Sequence, residues 1–556
     1  MKKAGILLVI MLLALKATPQ TAPGKYWVQF TNKANTPFVI NQPQDFLSNR
    51  AIERRARYHV PILEEDLPVD PAYPDSLKKL GVTVLNRSKW FNAVTIATTD
   101  PLLLEKIRQL SFVKQLKSVR ALKSSGALVN KFSAESFSAT TFDNQTDTTV
   151  LQYGLASRQI GMLNGHILHN QGYQGQGMVV AVLDAGFHNV NINPAFDSLW
   201  SKHHVLGNWD FVHDRPVLFD GNQHGAQVLS IMAANLPGQF IGSAPQASYY
   251  LLITEDVAGE YPVEEDNWVS GAEYADSVGA DLINSSLGYS EFDDASMNHT
   301  YADMNGRSTR ISLAATIAGR KGILVCSSAA NEGNKAWHYI TAPADADSIL
   351  TVGAVDSLGK YAYFSSTGPT FDKRIKPNVS GQGLSTAFVS TSGTLARGNG
   401  TSYSSPLVCG LTTCLWQANR TLSPIKIIEA IQKSASQANS PDSLLGYGLP
   451  DYGKAWFLIQ GINPVKLDNE SLFGVFPNPF TDKLTVDFYS HDAQDITIEL
   501  LNSSGEMLYT KPAAVGYTSI NRIEINEFQH LASGIYFLRI NTKTTHHQQR
   551  VVKVSK

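Results

Sequence analysis

Met178-Val179-Val180-Ala181-Val182-Leu183-Asp184-Ala185-Gly186 is apolar at six successive positions and then breaks on a carboxylate, a small residue and a glycine. A strand with one face in water alternates apolar and polar side chains. A run apolar on both faces belongs to a strand covered on both sides, the condition of a parallel sheet between helices. The same pattern returns at Tyr249–Ile253, Asp281–Asn284 and Gly322–Cys326, each after a helical stretch. These runs predict an α/β domain over residues 151–462, a parallel sheet with helices on both faces.

Function in such sheets gathers at the carboxyl ends of the strands. Asp184 ends the first apolar run, and Asn331 follows another in Ser328-Ala329-Ala330-Asn331-Glu332-Gly333. His224, in Asp220-Gly221-Asn222-Gln223-His224-Gly225, opens a predicted helix. Ser402 stands in Gly400-Thr401-Ser402-Tyr403-Ser404-Ser405-Pro406, just before the apolar helix Leu407–Trp416. These residue types fit one chemistry. A serine hydroxyl becomes a nucleophile when a neighbouring base takes its proton. Histidine titrates near neutrality and suits that task. A buried carboxylate fixes the tautomer of the ring and stabilises the imidazolium. An asparagine amide and a backbone N–H can receive the oxyanion, and the helix after Ser402 adds partial positive charge there.

The order Asp, His, Ser, with these local motifs, resembles the subtilisin-like serine proteases (peptidase S8). Gly400–Pro406 fits that family's nucleophile motif, and Asn331-Glu332-Gly333 looks like its oxyanion motif. Asn284-Ser285-Ser286-Leu287-Gly288 resembles the strand edge that pairs with substrate backbone. The resemblance implies a catalytic triad of Asp184, His224 and Ser402, an oxyanion hole with Asn331, and substrate binding by Ser286, Leu287, Gly288 and Ala330. It implies a serine endopeptidase that works through an acyl-enzyme and requires no cofactor. Relatives of this kind often bind structural calcium, for which the sequence assigns no ligands. Three positions depart from the family pattern: Ala185 stands where Ser or Thr is usual, Ala226 where Thr is usual, and Ala330 where Gly is usual. The methyl group of Ala330, with Glu332 close by, is expected to narrow the primary specificity pocket.

Rival readings fail on motifs. An esterase of the α/β-hydrolase kind would carry Gly-x-Ser-x-Gly and the order Ser, Asp, His, which this chain lacks. A catalytically dead subtilisin fold acting as an adhesin would be expected to have lost part of the set that is intact here. Gly172-Tyr173-Gln174-Gly175-Gln176-Gly177 precedes a strand, the reverse of a dinucleotide loop. His203-His204 and His546-His547 lack metal-ligand spacing and read as solvated loops.

At 556 residues the chain is long enough for several domains. Hydrophobic residues make up 43%, enough for real cores. A net charge of −2 and a pI of about 6.7 give no attraction to nucleic acid or anionic membranes. Cys326, Cys409 and Cys414 have apolar neighbours and make no disulfide framework.

The flanks differ in texture from the α/β region. Lys2, Lys3 and the apolar run Gly5–Leu15 read as a secretory signal over residues 1–20. Residues 23–122 read as a small α+β unit, and 123–150 are Ser/Thr-rich, as in a linker. From residue 472 to 556 alternating strands such as Lys483–Phe488 and Ile535–Ile540 predict a β-sandwich. By position and pattern the first unit resembles a prosegment that assists folding and then blocks the cleft. Phe476-Pro477-Asn478-Pro479-Phe480 and Gly534-Ile535-Tyr536 make the last resemble the C-terminal sorting domain of type IX secretion cargo. The expected partners are therefore protein or peptide substrates, the chain's own prosegment and the type IX machinery. The expected destination is the medium or the cell surface, reached through the periplasm. No nucleic acid and no membrane span in the mature protein are expected.

Overall fold

The computed structural model describes residues 21–22, 24–120, 123–124, 137–139, 151–466, 472–490, 493–516, 520–543 and 545–555. The expected signal and most of the expected linker lie outside the described residues.

The centre of the molecule is a seven-stranded sheet. Its strands are β1 (Val179–Asp184), β2 (Val205–Asp210), β3 (Ser248–Ile253), β4 (Leu282–Ser285), β5 (Leu324–Ser328), β6 (Leu350–Val355) and β7 (Val379–Gln382). They lie in the order β7-β6-β5-β4-β1-β3-β2, all parallel. The apolar runs form β1, β3, β4 and β5, within two residues of the expected boundaries. Successive residues of β1 serve opposite faces. Val180 and Val182 join one core with Leu407 and Leu411. Val179, Ala181 and Leu183 join the other with Trp268 and Val269. That division is why the run shows no alternation.

Four helices matter for the site: α1 (His224–Ala233), α2 (Val263–Val278), α3 (Arg310–Arg320) and α4 (Thr401–Ala418). α1 and α4 cover one face, α2 and α3 the other. The three cysteines are unpaired and buried in this domain, and burial pushes the Cys414 thiol up from its ordinary value. No described helix is long and apolar enough to cross a membrane.

The N-terminal unit is a four-stranded antiparallel sheet in the order Thr83–Ser88, Ala93–Thr98, Gly24–Phe30, Val113–Arg120. Val28, Phe30, Leu77, Ile96 and Ile107 form its own core. Its other face lies on the catalytic domain, where Trp27, Ala93 and Val119 meet Tyr261 and Val263.

The C-terminal unit is two four-stranded antiparallel sheets. One runs Val465–Lys466, Leu472–Phe476, Leu484–Tyr489, Ile520–Ile525; the other runs Met507–Val515, Gln494–Leu501, Gly534–Asn541, His546–Lys553. Residues 465–466 thus contribute a strand ahead of residue 472, where the alternating pattern begins. His546 and His547 open the last strand, where a solvated loop was expected. The sandwich has its own core, yet Leu472 and Tyr489 belong to the main core of the catalytic domain.

Candidate active site

The ends of β1 and β5 and the starts of α1 and α4 meet at the carboxyl edge of the sheet. Asp184 is the last residue of β1 and His224 the first of α1. His224 Nδ1 lies 2.6 Å from Asp184 Oδ1, and both side chains are almost wholly buried. Asp184 Oδ1 also accepts the Ala185 N–H at 2.7 Å. The backbone therefore holds this carboxylate although residue 185 has no hydroxyl. His224 N–H is accepted by Asn222 Oδ1 at 2.8 Å, which starts the helix. Glycines let the two elements approach. A Cβ on Gly225 would sit 2.9 Å from Asp184 Cβ, and one on Gly186 would stand 2.6 Å from the Asn222 carbonyl oxygen.

Ser402 is the second residue of α4. Pro406 sits four residues on, and proline has no N–H to donate to the Ser402 carbonyl. The Ser286 hydroxyl takes that place, donating to the Ser402 carbonyl at 3.0 Å. In return Ser402 Oγ donates to the Ser286 carbonyl at 3.4 Å. The strand edge Ser286–Gly288 and the nucleophile motif are thereby tied together. Tyr403 links α4 to α1: its hydroxyl donates to Gln227 Oε1 at 2.9 Å, and its ring centroid lies 6.4 Å from that of His224.

Asn331 follows β5. Its Oδ1 accepts Thr401 N–H at 2.8 Å and Thr401 Oγ–H at 2.9 Å. Two bonds to one oxygen fix the amide plane. Ala330, just before it, has φ of 78°, in the left-handed region where a Cβ is unfavourable. The usual glycine of this motif has a backbone reason, and this chain keeps the conformation with alanine.

One cleft of about 350 Å³ contains Ser402, Asn331, Ser286–Gly288 and Ala330. A Cβ on Gly288 would collide with Thr341 Oγ1 and lie 3.4 Å from Ala330 Cβ, so the slot between these residues is narrow. Sequence reasoning missed Thr341 and the acidic part of this cleft, Glu255 and Glu260. The available signal was Thr254-Glu255-Asp256 directly after β3, a polar break at a strand end like that of Asp184.

Glu255, Glu260 and Glu264 bring carboxylate oxygens within 4.8 Å of one another. Calcium takes six to eight oxygens. Here Glu264 accepts Asp256 N–H and Tyr261 N–H at 2.8 and 2.9 Å. Glu255 Oε2 accepts the Tyr289 hydroxyl. Two of the three carboxylates are therefore already engaged by protein donors.

Comparison with known proteins agrees with this architecture. Residues 175–448 match the model of the subtilase family, 25–134 that of the peptidase S8 propeptide domain of Bacteroidota, and 474–554 that of the secretion system C-terminal sorting domain. Subtilisin DY of Bacillus licheniformis is 31% identical over 282 residues, 50% of this chain and 90% of that one. A thermostable alkaline protease of Halalkalibacterium halodurans is 29% identical over 297 residues, 53% of this chain and 72% of that one. Subtilisin E of Bacillus subtilis is 30% identical over 281 residues, and the chain spans 65% of its length. Among solved structures, fervidolysin from Fervidobacterium pennivorans superposes with a TM-score of 0.52 at 17% identity, covering 94% of this chain and 71% of that one. These features define a serine endopeptidase with a propeptide domain before it and a sorting domain after it. The chain belongs to the subtilase family.

Proposed function

We propose that the chain is a secreted zymogen whose mature form hydrolyses peptide bonds through Ser402, His224 and Asp184. The observation that carries this reading is the buried 2.6 Å contact between His224 Nδ1 and Asp184, made where α4 presents Ser402. With Nδ1 held by the carboxylate, Nε2 is the basic atom of the ring. Ser402 Oγ attacks the scissile carbonyl carbon while His224 Nε2 takes its proton. The carbonyl oxygen becomes an anion, met by the Asn331 amide and by backbone N–H at the start of α4. The C–N bond then breaks, and His224 returns the proton to the leaving amine. Water, activated by the same histidine, hydrolyses the Ser402 ester and restores the enzyme. Ser286–Gly288 offers a strand edge to substrate backbone, and Ala330 walls the slot beside it.

The prosegment reading adds a block on this cleft. Its last strand ends at Arg120, whose guanidinium bonds Asp256, the neighbour of cleft residue Glu255. The tail reading adds an export address, used after passage through the periplasm.

A fluorophosphonate probe followed by peptide mapping tests the nucleophile. The adduct is expected on Ser402 and is expected to vanish in Ser402→Ala together with peptidase activity. Labelling elsewhere, or full activity in pure Ser402→Ala protein, removes the assignment; an unlabelled, inactive wild type would favour the adhesin reading. Asn331→Ala is expected to lower kcat by about 10²–10³ with little change in KM, because its amide acts as charge forms. A loss confined to KM would place the donor elsewhere.

A further inference from the structure

Two strand edges reach Ser402. Ser286–Gly288 lies in the cleft with Asn331 and Ala330. The second edge belongs to a hairpin, Thr386–Val389 and Leu395–Gly398, which runs directly into the Gly400–Pro406 motif. The hairpin stands on the histidine side. Val389 N–H donates at 3.0 Å to Ser230 Oγ of α1, the helix that His224 opens. The Phe388 ring stacks on Tyr403 with centroids 5.1 Å apart, and Tyr403 is the ring beside His224. A Cβ on Gly398 would come within 2.8 Å of that same ring. A histidine base returns its proton to the leaving amine. The half of a substrate that follows the scissile bond therefore departs on this side.

The direction of each backbone group in the hairpin follows from its register. Opposite residues in an antiparallel ladder alternate between pairs that exchange hydrogen bonds and pairs that do not. Ser390 N–H donates to the Thr394 carbonyl at 2.8 Å and closes the turn. Val389–Leu395 is then a pair without mutual bonds, Phe388–Ala396 a pair with them, and Ala387–Arg397 again a pair without. Gln159 fits this alternation: its side chain takes the N–H and the carbonyl of Ala387 from outside the hairpin, at 3.0 and 3.2 Å. The N–H and carbonyl of Arg397 accordingly face the opposite edge. Backbone of the same chain lies along that edge. Phe137–Ala139 pairs antiparallel with residues 396–398, and Ser138 stands opposite Arg397. An edge that takes a third strand through main-chain bonds accepts extended backbone of almost any sequence.

We propose that this edge is a second substrate-binding strand, which holds an extended polypeptide downstream of the scissile bond by main-chain bonds centred on Arg397. The proposal rests on Ser402 being the nucleophile and His224 its base. Phe137–Ala139 is the first occupant of the edge, and a substrate takes its place in the same antiparallel sense. Main-chain bonds ignore side-chain identity, so the favoured substrates are unfolded or extended protein segments with several residues beyond the cut. Small amides and esters, which end at or just past the scissile bond, do not reach Arg397. A proline opposite Arg397 brings no N–H and is disfavoured there.

The test uses the mature, full-length enzyme and quenched fluorescent peptides that share one acyl half and carry two, four, six or eight residues after the cut. Fluorophosphonate labelling of Ser402 runs in parallel. From the shortest peptide to the longest, kcat/KM is expected to rise by about tenfold, the scale of two net backbone hydrogen bonds. N-methyl groups moved along the longest peptide are expected to cost about that factor at one position beyond the second residue and little at its two neighbours, because alternate N–H groups face away. Arg397→Pro removes the edge N–H, a change that edge strands tolerate, and is expected to abolish the gain with length. Arg397→Ala keeps that N–H and loses only the guanidinium bond to the Ser385 carbonyl, so the gain is expected to survive. Labelled enzyme whose kcat/KM stays flat beyond two residues overturns the proposal and leaves the peptidase reading standing. Equal loss of the gain in Arg397→Ala and Arg397→Pro also overturns it, because the guanidinium would then be the contact. Should Arg397→Pro fail to fold, the N-methyl scan on wild type decides alone, and an even response at every position sinks the proposal. Enzyme that does not label at Ser402 removes both readings.

Discussion

The catalytic domain touches its two neighbours in opposite ways. Against the prosegment, α2 presents buried charge. Glu273 accepts Ser88 Oγ–H, Lys89 N–H and Trp90 N–H at 2.6, 2.7 and 3.0 Å. Asp276 meets Arg54, Arg55 and Lys89, and Asp66 of the prosegment meets Lys321 of the catalytic domain. Against the sorting domain the contact is mostly apolar. Leu472 and Tyr489 complete a core that includes Phe457 and Ile462, and the Tyr489 hydroxyl lies 3.0 Å from His166 Nε2. Burial of charge is tolerable only while every partner is present, whereas apolar contact loses strength in proportion to area. The first interface therefore suits a partner that must leave completely, the second a partner that stays.

Asp276 gives the largest expected effect. Burial alone would raise its carboxyl, but Lys89, Arg55 and Arg54 outweigh burial and hold it well below the usual range. Removing it leaves Arg54 and Arg55 buried without their shared anion. Asp276→Ala is expected to cost an unprocessed Ser402→Ala precursor about 3–5 kcal/mol in denaturant unfolding. The same substitution in enzyme freed of its prosegment is expected to cost far less, since no buried cation is then abandoned. Equal losses in the two forms would mean that Asp276 supports only its own helix.

The tail ranks next. A tail sharing no core with the protease would be removable at little cost, as the polar stretch Asp468–Ser471 suggests in sequence. The structure corrects that expectation, because truncation after Asn469 takes Leu472 and Tyr489 away from Phe457 and Ile462. Each buried side chain of this size contributes about 1.5–3 kcal/mol. The truncated enzyme is expected to keep peptidase activity but to melt several degrees lower than the full chain. An unchanged melting temperature would show that the contact carries no weight.

Why some of this was legible in sequence and some was not follows from where the information sits. Met178–Leu183 announces a strand covered on both faces because side-chain direction alternates along a strand, a local rule. Asp184, Asn331, His224 and Ser402 stand out because strand ends and helix starts are local too. Arg54 and Arg55 look like the solvated face of a short helix, and only the approach of α2 buries them. Glu255, Glu260 and Glu264 are spread along one loop and the start of α2, so their convergence depends on how that loop turns. Thr341 meets Gly288 across two distant segments, which no local pattern encodes.

The smallest effect is the one that tests whether the charged interface senses pH. Burial pushes the Glu273 carboxyl up to about 7 from an ordinary 4.5, against the opposing pull of Lys89 and the Ser88 hydroxyl. Asp266, bonded to Arg310 and to Thr95 of the prosegment, is pushed by burial up to about 6. Both carboxyls are buried where the prosegment docks, with Glu273 against Ser88 and Lys89 and Asp266 against Thr95, so docking is expected to take up protons. The linked stability is fully present below about 4.5 and is lost as pH rises through about 7. Lys33 of the prosegment, lowered by burial to about 8, acts only above that range, because it is protonated in either state at pH 5–7. The prosegment is therefore expected to hold more tightly at pH 5.5 than at pH 8. In the Ser402→Ala precursor, fluorescence of Trp27 and Trp90, both at this interface, reports its release. The denaturant midpoint is expected to rise as pH falls between those values, and Glu273→Gln is expected to remove much of the rise, with Asp266 accounting for what remains. A Glu273→Gln precursor with the full pH response would show that the proton is taken up elsewhere and that the interface is held by its ion pairs alone.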